Sequence, residues 1–188
     1  EDDKTTHQGV GGSDEYQRTR TVSLKFRDGK NIVVAFAELD GNDDQSLALV
    51  QEGYDAHCNG KEFFKPVSDP LVSHLIESAQ TTGRICPALK ENPLEISIVS
   101  KSGKSDYGQH QIVIAVVGNP ELAELNAEYI CERGLTNGCV WDFTQSDLEK
   151  LLKDQKDHAL IRSVGLGGDY FNVIDASDDF NYYGRARG

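Results

Sequence analysis

One histidine stands among side chains that could carry out acid–base chemistry. His110 follows a polar loop that includes Lys101, Lys104, Asp106 and Tyr107. A histidine at the start of a strand, close to a lysine and a tyrosine, could move protons during hydrolysis of a phosphodiester. His110 and Tyr107 are therefore weak candidates for catalysis, and a second acid or base would have to come from another segment. The sequence favours the alternative, in which His110 is a polar residue where a strand begins.

The patterns that could hold a metal or a nucleotide are incomplete. Asp40, Asn42 and Asp44 alternate as in the first half of a calcium loop, but Gln45 and Gln51 stand where such a loop has Gly and Glu. Aspartates and asparagines before a helix normally cap it. No two histidines are three or four residues apart, and no nucleotide-binding or zinc-protease motif occurs. We therefore expect no metal, no cofactor and no established catalytic residue.

Four cysteines, Cys58, Cys86, Cys131 and Cys139, allow three disulfide connectivities. Each falls at or near the end of a predicted element, which suits a bridge between elements, and we favour Cys58–Cys86 and Cys131–Cys139. Such a bridge contributes about 2–4 kcal/mol, mainly by restricting the unfolded chain. Disulfides persist outside the reducing cytosol, so this pattern predicts a secreted protein. The alternative is four free thiols in a cytosolic protein.

Composition and charge narrow the classes of function. With 188 residues, of which 38% are hydrophobic, the chain can build one domain with a sizeable core. A net charge of −12 favours solubility or a basic partner and disfavours nucleic acid, whose affinity comes from Lys and Arg on phosphates. No apolar stretch is long enough to span a membrane. The chain has no Met even at its first position, which predicts that a signal peptide has been removed.

The first half of the chain gives clear local signals. Residues 19–26 alternate between apolar and polar, and Asp28-Gly29 then predicts a tight hairpin to a second strand over 32–37. Two helices should follow, one after the Asx-rich turn at 40–44 and one opened by Asp69-Pro70.

In the second half the predicted elements alternate. Residues 94–98 alternate as a strand with one wet face, and 112–117, apolar on both faces, predict a central strand. Asn119-Pro120 opens a helix. Ser146 and Glu149 have the spacing of a capping box and predict a long helix that includes Ala159 and closes before Gly165.

These elements predict an α+β fold, a mainly antiparallel sheet of about five to six strands with helices packed on one face and a disulfide brace. The predicted domains are a flexible acidic leader over 1–17, a single α+β domain over 18–175 and a polar, aromatic tail over 176–188. No internal repeat is evident.

The tail carries Tyr182, Tyr183, Arg185 and Arg187, residue types that often anchor interfaces, and we take them as candidate protein-binding residues. Small size, predicted bridges and an incomplete catalytic constellation favour a secreted protein without catalytic activity that acts through protein–protein interaction, as an effector, a toxin-like factor or an extracellular binding module. One alternative is a secreted hydrolase, such as a nuclease that uses His110. Another is a subunit of an extracellular assembly that binds its neighbours through the terminal segments.

Overall fold

The computed structural model describes residues 17–98, 103–167 and 173–180, and within these ranges the chain forms eight strands and five helices. The strands are β1 Gln17–Asp28, β2 Asn31–Glu38, β3 Phe64–Pro66, β4 Ile85–Pro87, β5 Leu94–Ser97, β6 Asn137–Trp141, β7 His158–Gly167 and β8 Val173–Asp178. The helices are α1 Asp44–Cys58, α2 Pro70–Thr81, α3 Gln111–Val117, α4 Pro120–Glu132 and α5 Gln145–Leu151.

The local signals of the first half are confirmed. Strands β1 and β2 pair antiparallel with Asp28 opposite Asn31, and Gly29 takes the positive φ of +61° that the tight turn requires. The Asp43 carboxylate accepts a hydrogen bond from the backbone N–H of Ser46 and caps α1, while Asp69 caps α2 ahead of a proline at its first turn. These contacts join residues close in sequence, so the sequence determines them.

The sheet is mixed, and it curls into a half-barrel. Its strand order is β4-β2-β1-β7-β8-β6-β5, with β3 pairing to the first half of β7. Strands β6 and β8 are parallel and the other pairs of strands are antiparallel. The prediction of a mainly antiparallel sheet of about five to six strands is therefore wrong. The three-residue strands β3 and β4 are too short to show a periodic pattern, and a parallel pair depends on a crossover connection, here through α5 and β7.

Helices cover both faces of the sheet, so the prediction of helices on one face is also wrong. Along β2, Val34 and Phe36 belong to a first core with buried residues of α3, α4 and α5, whereas Ala35 and Ala37 belong to a second core with α1 and α2. Successive side chains of a strand point to opposite faces. A central strand that is apolar at every position therefore needs cover on both sides.

Two segments of the second half differ from their predicted structure. Residues 112–117, predicted as a central strand, lie in the helix α3, which ends at Gly118 with a φ of +85°. The predicted long helix after residue 146 is the short helix α5, capped by a capping box between Thr144 and Asp147, and Ala159 instead lies in β7. Short runs that are apolar on every side fit a buried helix as well as a buried strand, so their pattern does not separate the two.

The predicted disulfide brace is wrong, because all four cysteines lie in the described residues and are free thiols. Cys58 is exposed at the end of α1, whereas Cys86 is buried beside β2 in the first core. Cys131 is exposed at the end of α4, and Cys139 is half-buried in β6. The prediction of secretion rested on the bridges, and it stays a prediction without that support.

Alkylation of the native protein without reductant should therefore modify Cys58 and Cys131 and leave Cys86 unmodified until a denaturant is added. Burial raises the pKa of the Cys86 thiol from 9.0 to about 12, and the charge of Asp142 adds to this effect. Because the folded pKa lies above the unfolded one, Cys86 contributes stability below pH 9.0 that is lost as the pH rises toward about 12. Peptide mapping after labelling checks the pattern, and exposed thiols that react only after reduction would contradict it.

Candidate functional site

His110 caps a helix in the structure. Its Nδ1 accepts a hydrogen bond from the backbone N–H of Ile112 at 3.4 Å, at the first turn of α3. Partial burial lowers the pKa of the imidazole, which favours the neutral form that this acceptor role requires. The sequence predicted His110 at the start of a strand, and the structure places it at the start of helix α3 instead.

Tyr107 lies on the same turn as His110, but its side chain enters the first core. The backbone N–H of His110 donates to the carbonyl of Tyr107 at 3.1 Å, and the Tyr107 ring is fully buried against Gly138 of β6. Its hydroxyl has no hydrogen-bond partner within the described part of the chain, and burial raises its pKa. His110 is thus half-buried at the start of a helix, whereas the Tyr107 side chain is enclosed in the first core. A role of these two residues in hydrolysis stays a prediction.

The other predicted sites have the following positions. The Asp40 carboxylate accepts a hydrogen bond from the backbone N–H of Asn42 at 2.9 Å, as in an Asx turn. Within the described ranges, no group of three or more His, Cys, Asp or Glu side chains is placed so that it could hold a metal ion.

No helix in the described ranges is both long enough and apolar enough to cross a membrane. The candidate binding residues Tyr182, Tyr183, Arg185 and Arg187 lie outside the described residues.

A lysine and an aspartate meet in the protein interior. Lys25 of β1 stands opposite Val34 and so points into the first core, while Asp142 follows β6 directly. Lys25 Nζ lies 3.1 Å from Asp142 Oδ1, and both side chains have 0% exposure. Lys and Asp are almost never fully buried unless they are paired. Neither residue was predicted as part of a site from the sequence, where Lys25 is one of the polar residues in the alternating segment 19–26.

Three acceptors surround the lysine nitrogen. Besides Asp142, Lys25 Nζ donates to Ser23 Oγ at 2.6 Å and to the Ala176 carbonyl at 2.7 Å. The Ser23 hydroxyl itself donates to the Ala176 carbonyl at 2.7 Å, so its oxygen is free to accept from Lys25. The ring of Phe143 lies 5.8 Å from Nζ. Each of the three ammonium protons therefore has an acceptor, and the nitrogen is held at a fixed position.

The aspartate is less completely bonded than the lysine. The backbone N–H of Phe143 donates to an oxygen of Asp142 at 2.8 Å, and this is the same Oδ1 atom that contacts Lys25. The second oxygen, Oδ2, is buried and has no hydrogen-bond partner among the residues described. A buried acceptor without a donor is costly, so it is a place where strain or function is concentrated.

Burial dominates the electrostatics of this pair. It lowers the pKa of Lys25, and the charge of Asp142 opposes that effect. It raises the pKa of Asp142, and the charge of Lys25 opposes it in turn. The interior therefore disfavours both charges, and each partner makes the other tolerable. Within this closed environment an amine nitrogen and a carboxyl group are in direct contact.

Arg162 of β7 closes one side of this charged centre. Its guanidinium lies 5.2 Å from the centre of the Phe143 ring, and Lys25 Nζ lies 5.8 Å from the centre of the same ring. The same guanidinium pairs with Glu62 and with Asp179, which follows β8. These two ion pairs thus connect strand β7 to the chain before β3 and to the chain after β8, next to the buried Lys25–Asp142 pair.

A second feature lies on the surface, on helix α4. Ala123, Ala127 and Ile130 of this helix are buried in the first core. Leu122 and Leu125, however, are 52% and 58% exposed, and Tyr129 is also exposed. A helix repeats every 3.6 residues, so these three side chains, spaced by three and four, form one outward stripe. We call them the α4 stripe.

Comparison with known proteins gives no match: no family model fits the sequence, and neither a curated protein nor a solved structure resembles it.

Proposed function

We propose that this chain is a protein-binding module whose α4 stripe docks a basic, amphipathic segment of a partner. The observation that carries the proposal is the exposure of Leu122, Leu125 and Tyr129 on the outward face of a helix whose other face is packed. Apolar side chains that cluster on a surface, rather than being scattered singly, are typical of interaction sites.

The charge beside the stripe indicates the chemistry of the partner. With 3.6 residues per turn, Glu121, Glu128 and Glu132 line one side of the stripe, and all three are exposed. The helix itself carries no Lys or Arg, and Arg133, directly after it, lies at the far end of the stripe with its guanidinium 5.2 Å from the centre of the Tyr129 ring. A partner that places apolar side chains on the stripe and Lys or Arg beside them would match both features.

A second copy of this chain is a poorer match. It would bring the same acidic row to the interface, and like charges placed together disfavour association. The net charge of −12 adds a long-range repulsion between copies at low salt. The same charge attracts a basic segment, which supports a basic partner rather than self-association.

A defined peptide tests this proposal. We expect a fluorescent helical peptide of leucine and lysine heptads to bind the wild-type chain, and Leu125→Ser to weaken this binding about tenfold, since truncating an interface anchor costs on the order of 1–2 kcal/mol. Fluorescence anisotropy measures both affinities. Leu47→Ser is the matched control, because Leu47 is 51% exposed on another helix, and it should leave the affinity unchanged.

Two further measurements, with an acidic peptide and with added salt, test whether the stripe prefers a basic partner. A peptide with glutamate in place of lysine should bind more weakly than the lysine peptide, and added salt should weaken only the lysine peptide. Equal affinities of the Leu125 and Leu47 variants would remove the stripe as the binding surface. Dimerisation of the wild-type chain that Leu125→Ser abolishes would show instead that the stripe binds a second copy.

A further inference from the structure

We propose that Lys25 and Asp142 condense to an intramolecular amide, so that the mature protein carries a covalent cross-link between β1 and the chain that follows β6. This inference does not depend on the proposed function, since it concerns the first core and not the α4 stripe.

The contact geometry is the first argument. Lys25 Nζ lies 3.1 Å from Asp142 Oδ1, which is one covalent bond from the carboxyl carbon Cγ. The nitrogen is held there by Ser23 Oγ and the Ala176 carbonyl, at 2.6 and 2.7 Å. Groups held in contact in this way react as if at very high concentration, because the entropy of bringing them together has already been lost on folding.

The surroundings are the second argument. Both side chains have 0% exposure, so the charged pair is kept from water, which would otherwise stabilise the two ions. Burial shifts the pKa values of Lys25 and Asp142 toward each other, which favours transfer of a proton from the ammonium to the carboxylate. An amide carries no charge, so condensation would remove both buried charges at once.

The carboxyl group of Asp142 is bonded in the way that this reaction needs. The backbone N–H of Phe143 donates to Oδ1 at 2.8 Å and would stabilise the negative charge that develops on this atom during attack. The other oxygen, Oδ2, has no donor in the described part of the structure. Oδ1 is thus the oxygen held in place as the future amide carbonyl, and Oδ2 is the one that must take up two protons from Nζ and leave as water.

The atoms balance without a further reactant. One proton passes from the Lys25 ammonium to the Asp142 carboxylate, and the lone pair of the neutral Nζ attacks Cγ. The new C–N bond forms, the bond from Cγ to Oδ2 breaks, and Oδ2 departs as water with the transferred proton and a second proton from Nζ. The product amide retains Oδ1 and one N–H, which has Ser23 Oγ and the Ala176 carbonyl within reach as acceptors.

Mass spectrometry of the reduced, denatured full chain tests this. We expect a mass that is lower than the sequence mass by one water molecule. Trypsin should fail to cut after Lys25 and should release residues 21–27 joined to residues 134–150. Wild-type protein at its full sequence mass, with a free peptide that ends at Lys25, would overturn the proposal whatever the variants do.

Two controls show whether the lost water and the joined peptide come from the bond between Lys25 and Asp142. Lys25→Met should abolish the joined peptide, and water that is still lost in this variant would arise elsewhere, for example by cyclisation of the N-terminal glutamate. The pair Lys150 and Asp147, 4.0 Å apart and exposed, serves as an internal control in the same digest. Trypsin should cut after Lys150 normally, since water is not excluded there. A joined peptide that persists in Lys25→Met would assign the cross-link to another residue.

Discussion

Replacement of Asp142 by Ala is expected to lower the free energy of unfolding by about 3–5 kcal/mol. The change leaves the Lys25 ammonium in a site with 0% exposure and without its counter-charge. The serine hydroxyl and carbonyl that remain cannot neutralise it. Denaturant unfolding followed by circular dichroism measures the loss as a lower midpoint.

The complementary variants locate the cause. Lys25→Met should destabilise by a similar amount, because it leaves the Asp142 carboxylate buried and unpaired. The double variant Lys25→Met with Asp142→Leu should be more stable than either single variant, since neither charge is then stranded. Any deficit that remains against the wild type would combine the lost hydrogen bonds of Lys25 and Asp142 with the constraint lost with the proposed cross-link.

A partly exposed pair supplies the control. Lys65 and Glu52 lie 2.9 Å apart, closer than the buried pair, but Glu52 is half exposed. Glu52→Ala should therefore cost less than about 1 kcal/mol. If Asp142→Ala cost no more than Glu52→Ala, burial would not be the source of the effect.

Gly138→Ala is expected to destabilise the protein by about 1–3 kcal/mol through overpacking. A Cβ on Gly138 would lie 3.0 Å from Tyr107 Cζ and closer still to two other ring carbons. The ring is fully buried in the first core, and because protein interiors are close-packed it can move only by displacing its neighbours. Differential scanning calorimetry or denaturant unfolding measures the change.

Substitutions at Tyr107 test this explanation. Tyr107→Leu removes the ring, so in that background Gly138→Ala should cost much less. Tyr107→Phe keeps the ring and removes a buried hydroxyl that has no partner among the described residues, so it should retain the cost of Gly138→Ala and should not itself destabilise. At Gly41 a Cβ would lie 3.5 Å from its nearest neighbour, and Gly41→Ala should be nearly neutral. A cost at Gly138 that is the same in the Leu and Phe backgrounds would contradict the account.

The α4 stripe and the buried Lys25–Asp142 pair thus suggest separate roles. The α4 stripe can change its contacts without disturbing the first core, because its side chains point outward while Ala123, Ala127 and Ile130 hold the helix in place. The buried pair joins β1 to the chain after β6 and contacts Ala176 of β8. Variants of the stripe should therefore alter binding with little effect on unfolding, and variants of the pair should do the reverse.

The amino-acid sequence by itself determined the hairpin of β1 and β2 and the starts of α1, α2 and α4. Each depends on contacts within a few residues, such as the Gly29 turn or the hydrogen bond that the Ser46 N–H donates to the Asp43 carboxylate. The α4 stripe was also within reach of the sequence, because Leu122, Leu125 and Tyr129 already show the spacing of one helix face. Sequence alone did not reveal which side of that helix would be packed.

Only the tertiary structure decided the conformation of residues 112–117, the state of the four cysteines and the burial of Lys25. Residues 112–117 are apolar on every side, a pattern that suits a buried strand and a buried helix equally, and packing selected the helix. The four cysteines had an even count, but their elements place them in different environments as free thiols. Lys25 alternates with apolar residues like a solvent-facing side chain, yet residues 142 and 176 close over it. Burial depends on partners distant in the chain, and no local pattern records them.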